Sequence, residues 1–274
     1  MHWTTSNGPR TDSPRRTPIS LAGLDGRIAI VAGGATGIGA ATAQRLGAQG
    51  CSVVIGDINF EGATATAREI TAAGGVAMAV HFDLAEPDSV AALVDTAAST
   101  YGGVNLLFNV GSDMSLLPGD TDVLDIDLAV WERTMTVTLR GYLLTLKHSI
   151  PHLLAQGGGA IVNMASAAAF DGEPVRPAYA SAKAGVCALT RHVASRWGRD
   201  GVRCNAIAPG LTATTVIRSV PQWPELEAAA LRRMRSTRVG EVEDIAAMVA
   251  FLMSDDGAWV NGQTINIDGG TVMR

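Results

Sequence analysis

Tyr179 and Lys183 are the pair of residues whose types and spacing point most directly to chemistry. They stand four apart in the segment YASAK, whose small residues predict the start of a helix, so both side chains lie on one helical face. Of the 21 lysines and arginines, only Lys147 and Lys183 are lysines. Lysine is a compact point charge, unlike the forked arginine. Because a nearby ammonium favours phenolate, the pair indicates proton transfer by Tyr179.

The elements that must position this pair follow a regular alternation. From Arg27 onward, short β-branched segments alternate with alanine-rich helical segments, including a long helix at about 128–156 and a helix that carries YASAK. This pattern predicts an α/β fold with a single Rossmann-type, doubly wound parallel β-sheet and helices on both faces. Residues 211–236 interrupt the alternation with an irregular stretch that contains Trp223. We interpret this stretch as a substrate lid.

The segment AGGATGIG, residues 32–39, predicts a phosphate-binding turn. It joins the first strand to a helix, where glycines allow close backbone approach and free N–H groups attract phosphate. Asp57 ends the next strand, where a carboxylate can accept from both hydroxyls of an adenosine ribose and repel a 2′-phosphate. No arginine or lysine lies in the loop or beside Asp57. The cofactor is therefore predicted to be NAD rather than NADP.

Length and charge narrow the classes of function. The 274 residues fit one large domain, predicted at 24–274 and preceded by a mobile N-terminal arm at 1–23. A net charge of -5 without a long basic run argues against a nucleic-acid partner, and no apolar run predicts a membrane span. Three cysteines without a C-x-x-C pair predict free thiols and a cytoplasmic location.

Several motifs together resemble the classical short-chain dehydrogenase/reductase family over residues 24–270. They are the glycine loop, Asp83 with Leu84, FNVG at 108–111, Ser166, the Tyr-x3-Lys pair, NAIAPG at 205–210 and NGQTINIDGG near the end. The resemblance implies an NAD-dependent enzyme that interconverts a secondary alcohol and its ketone by hydride transfer. It also implies a homotetramer or a dimer, with the long helix and the YASAK helix at the interfaces.

The resemblance also implies a role for each matching residue. Tyr179 resembles the general acid/base, Lys183 the residue that binds the nicotinamide ribose and lowers the tyrosine pKa, and Ser166 the serine that orients the reacting oxygen. Asp83 and Leu84 resemble the pair that holds the adenine. The remaining cofactor-binding residues implied by the resemblance are Gly33, Thr36, Gly37, Ile38, Gly39, Asp57, Asn109, Gly111, Pro209, Gly210, Leu211 and Thr214, together with Tyr179 and Lys183.

Thr138 is the main departure from the family pattern. The family has asparagine at this position, where it supports a water chain from the lysine, and threonine cannot supply both roles of an amide. The resemblance implies that the main-chain carbonyl at this position binds the relay water. We therefore expect a working proton relay that is slower or rewired. Smaller departures are Ala32, Phe108 and Asn261. Thr138 also supports an alternative function, a nicotinamide-binding sensor or scaffold that has lost turnover. An epimerase or dehydratase of the extended family is disfavoured by glycine spacing and chain length.

Other candidate features receive simpler interpretations. His148 and His152 lack a third metal ligand, so no metal site is predicted. The carboxylates of DTDVLDID, residues 120–127, are interpreted as a solvated loop that precedes a helix. The predicted substrate pocket is lined by Ser112, residues 167–170, Glu173 and the lid.

Overall fold

The structure of the chain is a computed structural model that describes residues 20–273. The predicted mobile arm at 1–23 lies outside the described residues except for its last four. Within those four, the Leu21 N–H donates to the Gln49 side chain at 2.7 Å, and the Asp255 N–H donates to the Ala22 carbonyl at 2.9 Å. Leu21 and Ala22 are thus hydrogen-bonded to the rest of the domain.

Seven parallel strands form one sheet in the order β3-β2-β1-β4-β5-β6-β7. The strands are β1 Ile28–Ala32, β2 Ser52–Asp57, β3 Val76–His81, β4 Leu106–Asn109, β5 Gly159–Met164, β6 Val202–Pro209 and β7 Thr264–Ile267. The central strands β1 and β4 are almost entirely buried, as expected for a parallel sheet that is covered on both faces. The predicted fold class, a Rossmann-type α/β fold, is confirmed.

Nine α-helices flank this sheet within the described part of the chain. They are α1 Gly37–Gly47, α2 Phe60–Ala72, α3 Pro87–Tyr101, α4 Leu128–Thr134, α5 Gly141–Ala155, α6 Pro177–Trp197, α7 Thr215–Arg218, α8 Trp223–Arg233 and α9 Val242–Met253. Helix α1 packs against α9, and α3 packs against α5. Their apolar faces join the strands in one continuous hydrophobic core.

The predicted long helix at 128–156 contains a change of helix type. Helices α4 and α5 are joined without a break by a π-helical segment, Met135–Arg140, in which the Gly141 N–H donates to the Thr136 carbonyl. Such wider turns occur often at functional sites. This segment contains Thr138, which is 2% exposed.

The predicted irregular stretch at 211–236 contains two helices, α7 and α8. The ends of the stretch are joined by an isolated parallel bridge between Thr212 and Gly240. The Ala213 N–H donates to the Gly240 carbonyl at 2.8 Å, and the Gly240 N–H donates to the Leu211 carbonyl at 3.1 Å. Between these anchored ends, Trp223 and Ala230 of α8 pack against Ala213, Met234 and Val239 in a small separate hydrophobic cluster, the lid cluster.

Candidate active site

The carboxyl edge of the sheet brings the predicted site residues together. Because all strands are parallel, the segments that follow β1, β4, β5 and β6 emerge at the same edge. The register pairs Ala32 with Asn109, and Asn109 with Asn163. The glycine loop, Gly111, Ser166 and Gly210 therefore begin side by side, as the sequence predicts.

Close backbone packing explains the glycines of the predicted phosphate-binding turn. A Cβ atom on Gly33, whose φ is +108°, would lie 2.5 Å from the Gly111 nitrogen. A Cβ atom on Gly39 would lie 1.9 Å from the Gly33 carbonyl oxygen. Gly37 has a φ of +54°, and a Cβ there would approach the Thr214 methyl at 3.2 Å. The loop thus packs closely against Gly111 and Thr214. At Gly33 and Gly39 only a residue without a Cβ atom avoids overlap with the backbone.

This cradle fits a dinucleotide. Thr36 precedes α1, and within residues 20–273 its side chain makes no capping hydrogen bond, so the N-terminal N–H groups of α1 are not capped by that side chain. The Asp57 carboxylate accepts from the Ala35 N–H at 2.9 Å, which ties the end of β2 to the loop. Each carboxylate oxygen has two lone pairs, so Asp57 retains acceptor capacity for hydroxyl groups.

Asp83 and Leu84, predicted to hold the adenine, contribute differently to the local structure. Asp83 accepts from the Ala85 N–H at 2.8 Å and so shapes the turn before α3. Leu84 is 6% exposed, and its side chain fills the space over Gly111 and Gly141, where a Cβ atom on either glycine would lie within 3 Å. Asp83 therefore presents the polar group at this position, and Leu84 supports the segment that follows β4.

Asn109 begins a buried polar chain beneath the site. Its amide donates to the Asn163 carbonyl oxygen at 2.9 Å, and the Asn163 amide donates to the Thr190 hydroxyl at 3.0 Å. The Asn109 side-chain oxygen is buried and has no hydrogen-bond partner among the described residues. An unsatisfied buried oxygen at the end of β4 is unusual and marks a place for a donor from outside the chain.

Ser166, Tyr179 and Lys183 come together at the ends of β5 and α6. The Ser166 oxygen accepts from the Ala168 N–H at 3.2 Å, and its hydroxyl interacts with the Tyr179 phenol. The Lys183 ammonium is 1% exposed and lies 5.7 Å from the centroid of the Tyr179 ring. It donates to the Met164 carbonyl at 2.8 Å. The sequence-predicted catalytic group is thus assembled in space.

The pKa of Tyr179 moves opposite to the sequence prediction. Although the residue keeps partial exposure, burial of the phenol raises its pKa, and the Ser166 hydroxyl and Arg176 only partly counteract this shift. Lys183 does not offset it, because burial lowers the pKa of its own ammonium to about 7. The protein groups alone therefore do not favour phenolate. Desolvation outweighs the neighbouring charge that the sequence prediction relied on.

Asp120 is a site residue that the sequence interpretation missed. It is 2% exposed, and its two oxygens accept from the Ala178 and Tyr179 N–H groups at 3.1 and 2.8 Å. Residues 121–125, by contrast, are exposed as predicted. A carboxylate at these first-turn N–H groups caps α6 and fixes the start of the helix that carries Tyr179. The carboxylate run gave no signal that would separate Asp120 from its neighbours.

Arg176 is the second missed residue. It directly precedes α6 with a φ of +71°, the left-handed conformation that a residue with a side chain rarely adopts. Its N–H donates to the Asp120 and Thr121 carbonyls, both at 2.9 Å, and its guanidinium pairs with Glu173. Such strain persists where the surroundings fix the backbone, and here it sets the entry into α6.

The predicted lid contacts the loop that follows Ser166. Arg233 at the end of α8 forms an ion pair with Asp171, five residues after Ser166. Leu211 and Trp223 pack into the lid cluster, and the Thr214 hydroxyl caps α7 by accepting from the Ile217 N–H at 3.2 Å. At the base of the lid, the Gly210 N–H donates to the Ile267 carbonyl, which fixes the turn after Pro209. Two of the segments predicted to line the substrate pocket are therefore linked by an ion pair.

Residues 20–273 contain no group of three histidine, cysteine or acidic side chains arranged to hold a metal ion. Over the same residues, no helix combines the length and the apolar character that a membrane span requires.

Comparison with known proteins places this fold and site in a family. The profile of the family described as enoyl-(acyl carrier protein) reductase matches residues 33–272. A probable short-chain type dehydrogenase/reductase of Bradyrhizobium diazoefficiens is 43% identical over 248 residues, which cover 90% of this chain and 88% of that protein. The chain therefore belongs to the short-chain dehydrogenase/reductase family.

Two further relatives carry specific names. The cis-4-hydroxycyclohexanecarboxylate dehydrogenase of Sinomonas cyclohexanicum is 38% identical, with 89% of this chain and 96% of that protein covered. A solved structure of 7α-hydroxysteroid dehydrogenase, in complex with NADH and 7-oxoglycochenodeoxycholic acid, superposes with a TM-score of 0.85 at 33% identity. It covers 92% of this chain and 96% of that one. Both relatives are dehydrogenases named for hydroxylated ring compounds.

Proposed function

We propose that this protein is an NAD-dependent oxidoreductase that interconverts a secondary alcohol and its ketone, with Tyr179 as general acid/base. The observation that carries the proposal is the convergence of Tyr179, Ser166 and Lys183 at the carboxyl edge of the sheet. Nicotinamide cofactors accept or donate the hydride, and the protein supplies placement and proton handling.

Ser166 holds the reacting oxygen of the substrate. The Ser166 oxygen accepts from the Ala168 N–H, and its hydroxyl proton, which faces Tyr179 in the free protein, can instead be donated to an alcohol or ketone oxygen. Tyr179 takes the alcohol proton during oxidation and returns it during reduction. Lys183 has three donors, of which two go to Ser112 and Met164, so one is available for a ribose hydroxyl.

NAD is the proposed cofactor because a carboxylate ends β2. Asp57 lies beside the glycine loop and accepts from the Ala35 N–H, a position from which its charge repels a 2′-phosphate. The residues proposed to hold the cofactor are Gly33, Thr36, Gly37, Ile38, Gly39, Asp57, Asp83, Leu84, Asn109, Gly111, Pro209, Gly210, Leu211 and Thr214, together with Tyr179 and Lys183. The solved relative in complex with NADH supports a nicotinamide cofactor.

The proposed substrate is a cyclic secondary alcohol. Two relatives are named for a hydroxycyclohexane and a hydroxysteroid, both of which carry the hydroxyl on a ring. The two segments proposed to enclose the substrate are the loop after Ser166 and the lid, and Leu211 and Trp223 of the lid pack in its apolar cluster. An apolar pocket with few polar groups suits a ring that carries one reacting hydroxyl.

The test is a panel of substrates with NAD, in which NADH formation is monitored by absorbance. The panel contains cyclohexanol, cis-4-hydroxycyclohexanecarboxylate and a 7α-hydroxysteroid, with the wild type and Tyr179→Phe compared. We expect turnover by the wild type and a loss of about 10²- to 10⁴-fold in kcat/KM in the variant, because the phenol hydroxyl transfers the proton. NAD affinity, measured by fluorescence titration, should stay within about twofold, since the ring is retained. NAD binding without turnover on a panel extended to acyclic alcohols would favour the sensor alternative.

We also propose a homo-oligomer in the cytoplasm. An apolar groove of about 620 Å³ runs between the π-helical segment, α5 and α6, and Leu143 on its wall is 49% exposed. A second copy packed there would bury this surface. Light scattering should show a dimer or tetramer for the wild type and a smaller species for Leu143→Glu. The buried thiols of Cys51 and Cys204 suit a reducing compartment.

A further inference from the structure

Tyr142 is a second buried phenol beside the catalytic group. It lies on α5, one helical turn after Thr138, and is fully buried. Its hydroxyl has no hydrogen-bond partner among the described residues. Buried tyrosine hydroxyls usually find a partner, so an unsatisfied one next to reacting residues calls for a functional explanation.

The Lys183 ammonium lies between two phenol rings. It is 5.2 Å from the centroid of the Tyr142 ring and 5.7 Å from that of the Tyr179 ring. Both distances fall within the range in which an aromatic face attracts a cation. Tyr142 is thus placed to stabilise the charge of Lys183 from the side of α5.

Ser112 connects Tyr142 to the lysine. Its oxygen accepts from the Lys183 ammonium at 3.1 Å, and its hydroxyl lies close enough to the Tyr142 phenol to oppose the rise that burial causes in the pKa of Tyr142. A serine hydroxyl can accept from one group while it donates to another. Ser112 thus lies between the Tyr142 phenol and the Lys183 ammonium and contacts both.

No carboxylate of residues 20–273 forms an ion pair with Lys183. Among the described residues, the ion pairs all involve arginines. The groups that face the ammonium are Ser112 after β4, the Met164 carbonyl of β5, Tyr142 of α5, and Tyr179 and Cys187 of α6. A buried ammonium without a counter-ion depends on such dipoles and ring faces to remain charged.

We propose that Tyr142 and Ser112 are positioning residues that keep the Lys183 ammonium charged and in place beside Tyr179. They support the lysine in a chain that has the shorter hydroxyl side chain of Thr138 where the family has an asparagine amide. Their effect on turnover rests on the proposed function, whereas their effect on Lys183 does not depend on any substrate.

The test exploits the presence of only two lysines in the chain. In the full-length protein labelled with ¹³C,¹⁵N-lysine, the ε signals of Lys147 and Lys183 are assigned with Lys147→Arg and followed against pH by NMR. In the wild type we expect Lys183 to titrate near 7. Ser112→Ala and Tyr142→Leu should each lower that midpoint by about half to one unit, because each removes a group that favours the charged form.

Two further variants separate the ring from the hydroxyl. Tyr142→Phe keeps the ring face and should lower the midpoint by less than Tyr142→Leu does. Tyr101→Phe removes a phenol hydroxyl from α3, away from the site, and should leave the midpoint unchanged. Tyr142→Phe also changes the fewest atoms, so it keeps the test informative if Tyr142→Leu does not fold. A Lys183 midpoint within about 0.2 units of the wild type in both Ser112→Ala and Tyr142→Phe would overturn the proposal.

Kinetics then distinguish this proposal from the proposed function. With an active substrate, Tyr142→Phe and Ser112→Ala should lower kcat about three- to tenfold with little change in the KM for NAD, and the pH profile of kcat should shift with the Lys183 midpoint. A shifted midpoint in a protein that turns over no alcohol would support the positioning role and reject the dehydrogenase. Turnover with an unmoved midpoint would do the reverse.

Discussion

The two halves of the site are built differently, one from backbone and the other from side chains. Around β1 and β2, the site consists of backbone, because glycines remove side chains so that Gly33, Gly39 and Gly111 can touch. Around β4, β5 and α6, it consists of buried polar side chains, such as Asn109, Lys183 and others that come from distant segments. We propose that the first half makes room for the cofactor and that the second half supplies the groups that handle the proton.

This difference predicts different responses to mutation. In the glycine half, adding one carbon atom causes a backbone collision that no rotamer can relieve. In the polar half, removing atoms leaves partners without hydrogen bonds, at a cost that depends on burial. The four predictions below test this contrast, beginning with the largest expected effect.

Gly39→Ala should damage cofactor binding most. The new Cβ would lie 1.9 Å from the Gly33 carbonyl oxygen, so the loop must move. Relieving such an overlap costs about 3 kcal/mol, and NAD affinity should fall about a hundredfold, as measured by fluorescence titration.

Gly74→Ala is the matched control for this substitution. Gly74 differs from Gly39 in having a positive φ, +89°, and no atom lies within 4 Å of its Cβ position, so the variant adds a methyl group without a collision. It should lower stability by about 1–2 kcal/mol without changing NAD affinity. Equal NAD affinities in the two variants would contradict the backbone-contact explanation.

Asp57→Asn should weaken the discrimination between the two nicotinamide cofactors. The substitution removes the charge that repels a 2′-phosphate while an oxygen remains for the Ala35 N–H. The ratio of kcat/KM for NAD to that for NADP should fall about ten- to a hundredfold. Glu61→Gln, an exposed change nearby on α2, should leave the ratio unaltered. An unchanged ratio in Asp57→Asn would show that cofactor choice lies elsewhere.

Asp120→Ala should reduce both stability and turnover. It removes an acceptor from the Ala178 and Tyr179 N–H groups, so we expect the free energy of unfolding to fall by about 1–3 kcal/mol in urea titrations. We also expect kcat to fall several-fold, because the start of α6 loosens. Asp125→Ala, an exposed change in the same loop, should stay within about 0.5 kcal/mol. Similar losses in the two variants would reject a special role for Asp120.

Lys183→Met should flatten the pH dependence of stability. Burial lowers the pKa of Lys183 from its ordinary value to about 7 in the folded state, so between pH 7 and 10 the unfolded chain binds more protons. Stability therefore rises with pH in this window, by at most about 1.4 kcal/mol per unit for one group. The variant should lose this slope as well as activity. If the slope of stability against pH persists in the variant, the slope arises from another titrating group.

The sequence predicts the glycine half better than the polar half. Gly33, Gly37 and Gly39 lie in one short segment, so their spacing in the sequence already indicates the turn that requires them. Asp57 follows from the strand that it ends. In these places the function depends on a short segment, so pattern and structure agree.

The polar half depends on pairs that are far apart in the chain. Asp120 is indistinguishable in sequence from its exposed neighbours, yet it caps a helix 58 residues later. Ser112 and Tyr142 meet at Lys183 only through the fold. The predicted direction of the Tyr179 pKa shift was wrong for the same reason. Spacing shows which charges are near, but not how strongly the surroundings exclude water.

The bridge between Thr212 and Gly240 has a consequence for how this enzyme can evolve. It joins the two ends of the predicted lid at its base, close to the turn that follows β6. Loop-closure entropy grows slowly, by about 0.6 kcal/mol for each doubling of length, so the segment can be lengthened, shortened or replaced at small cost. If the segment is a lid as proposed, substrate choice can change through its exchange while Ser166, Tyr179 and Lys183 stay in place.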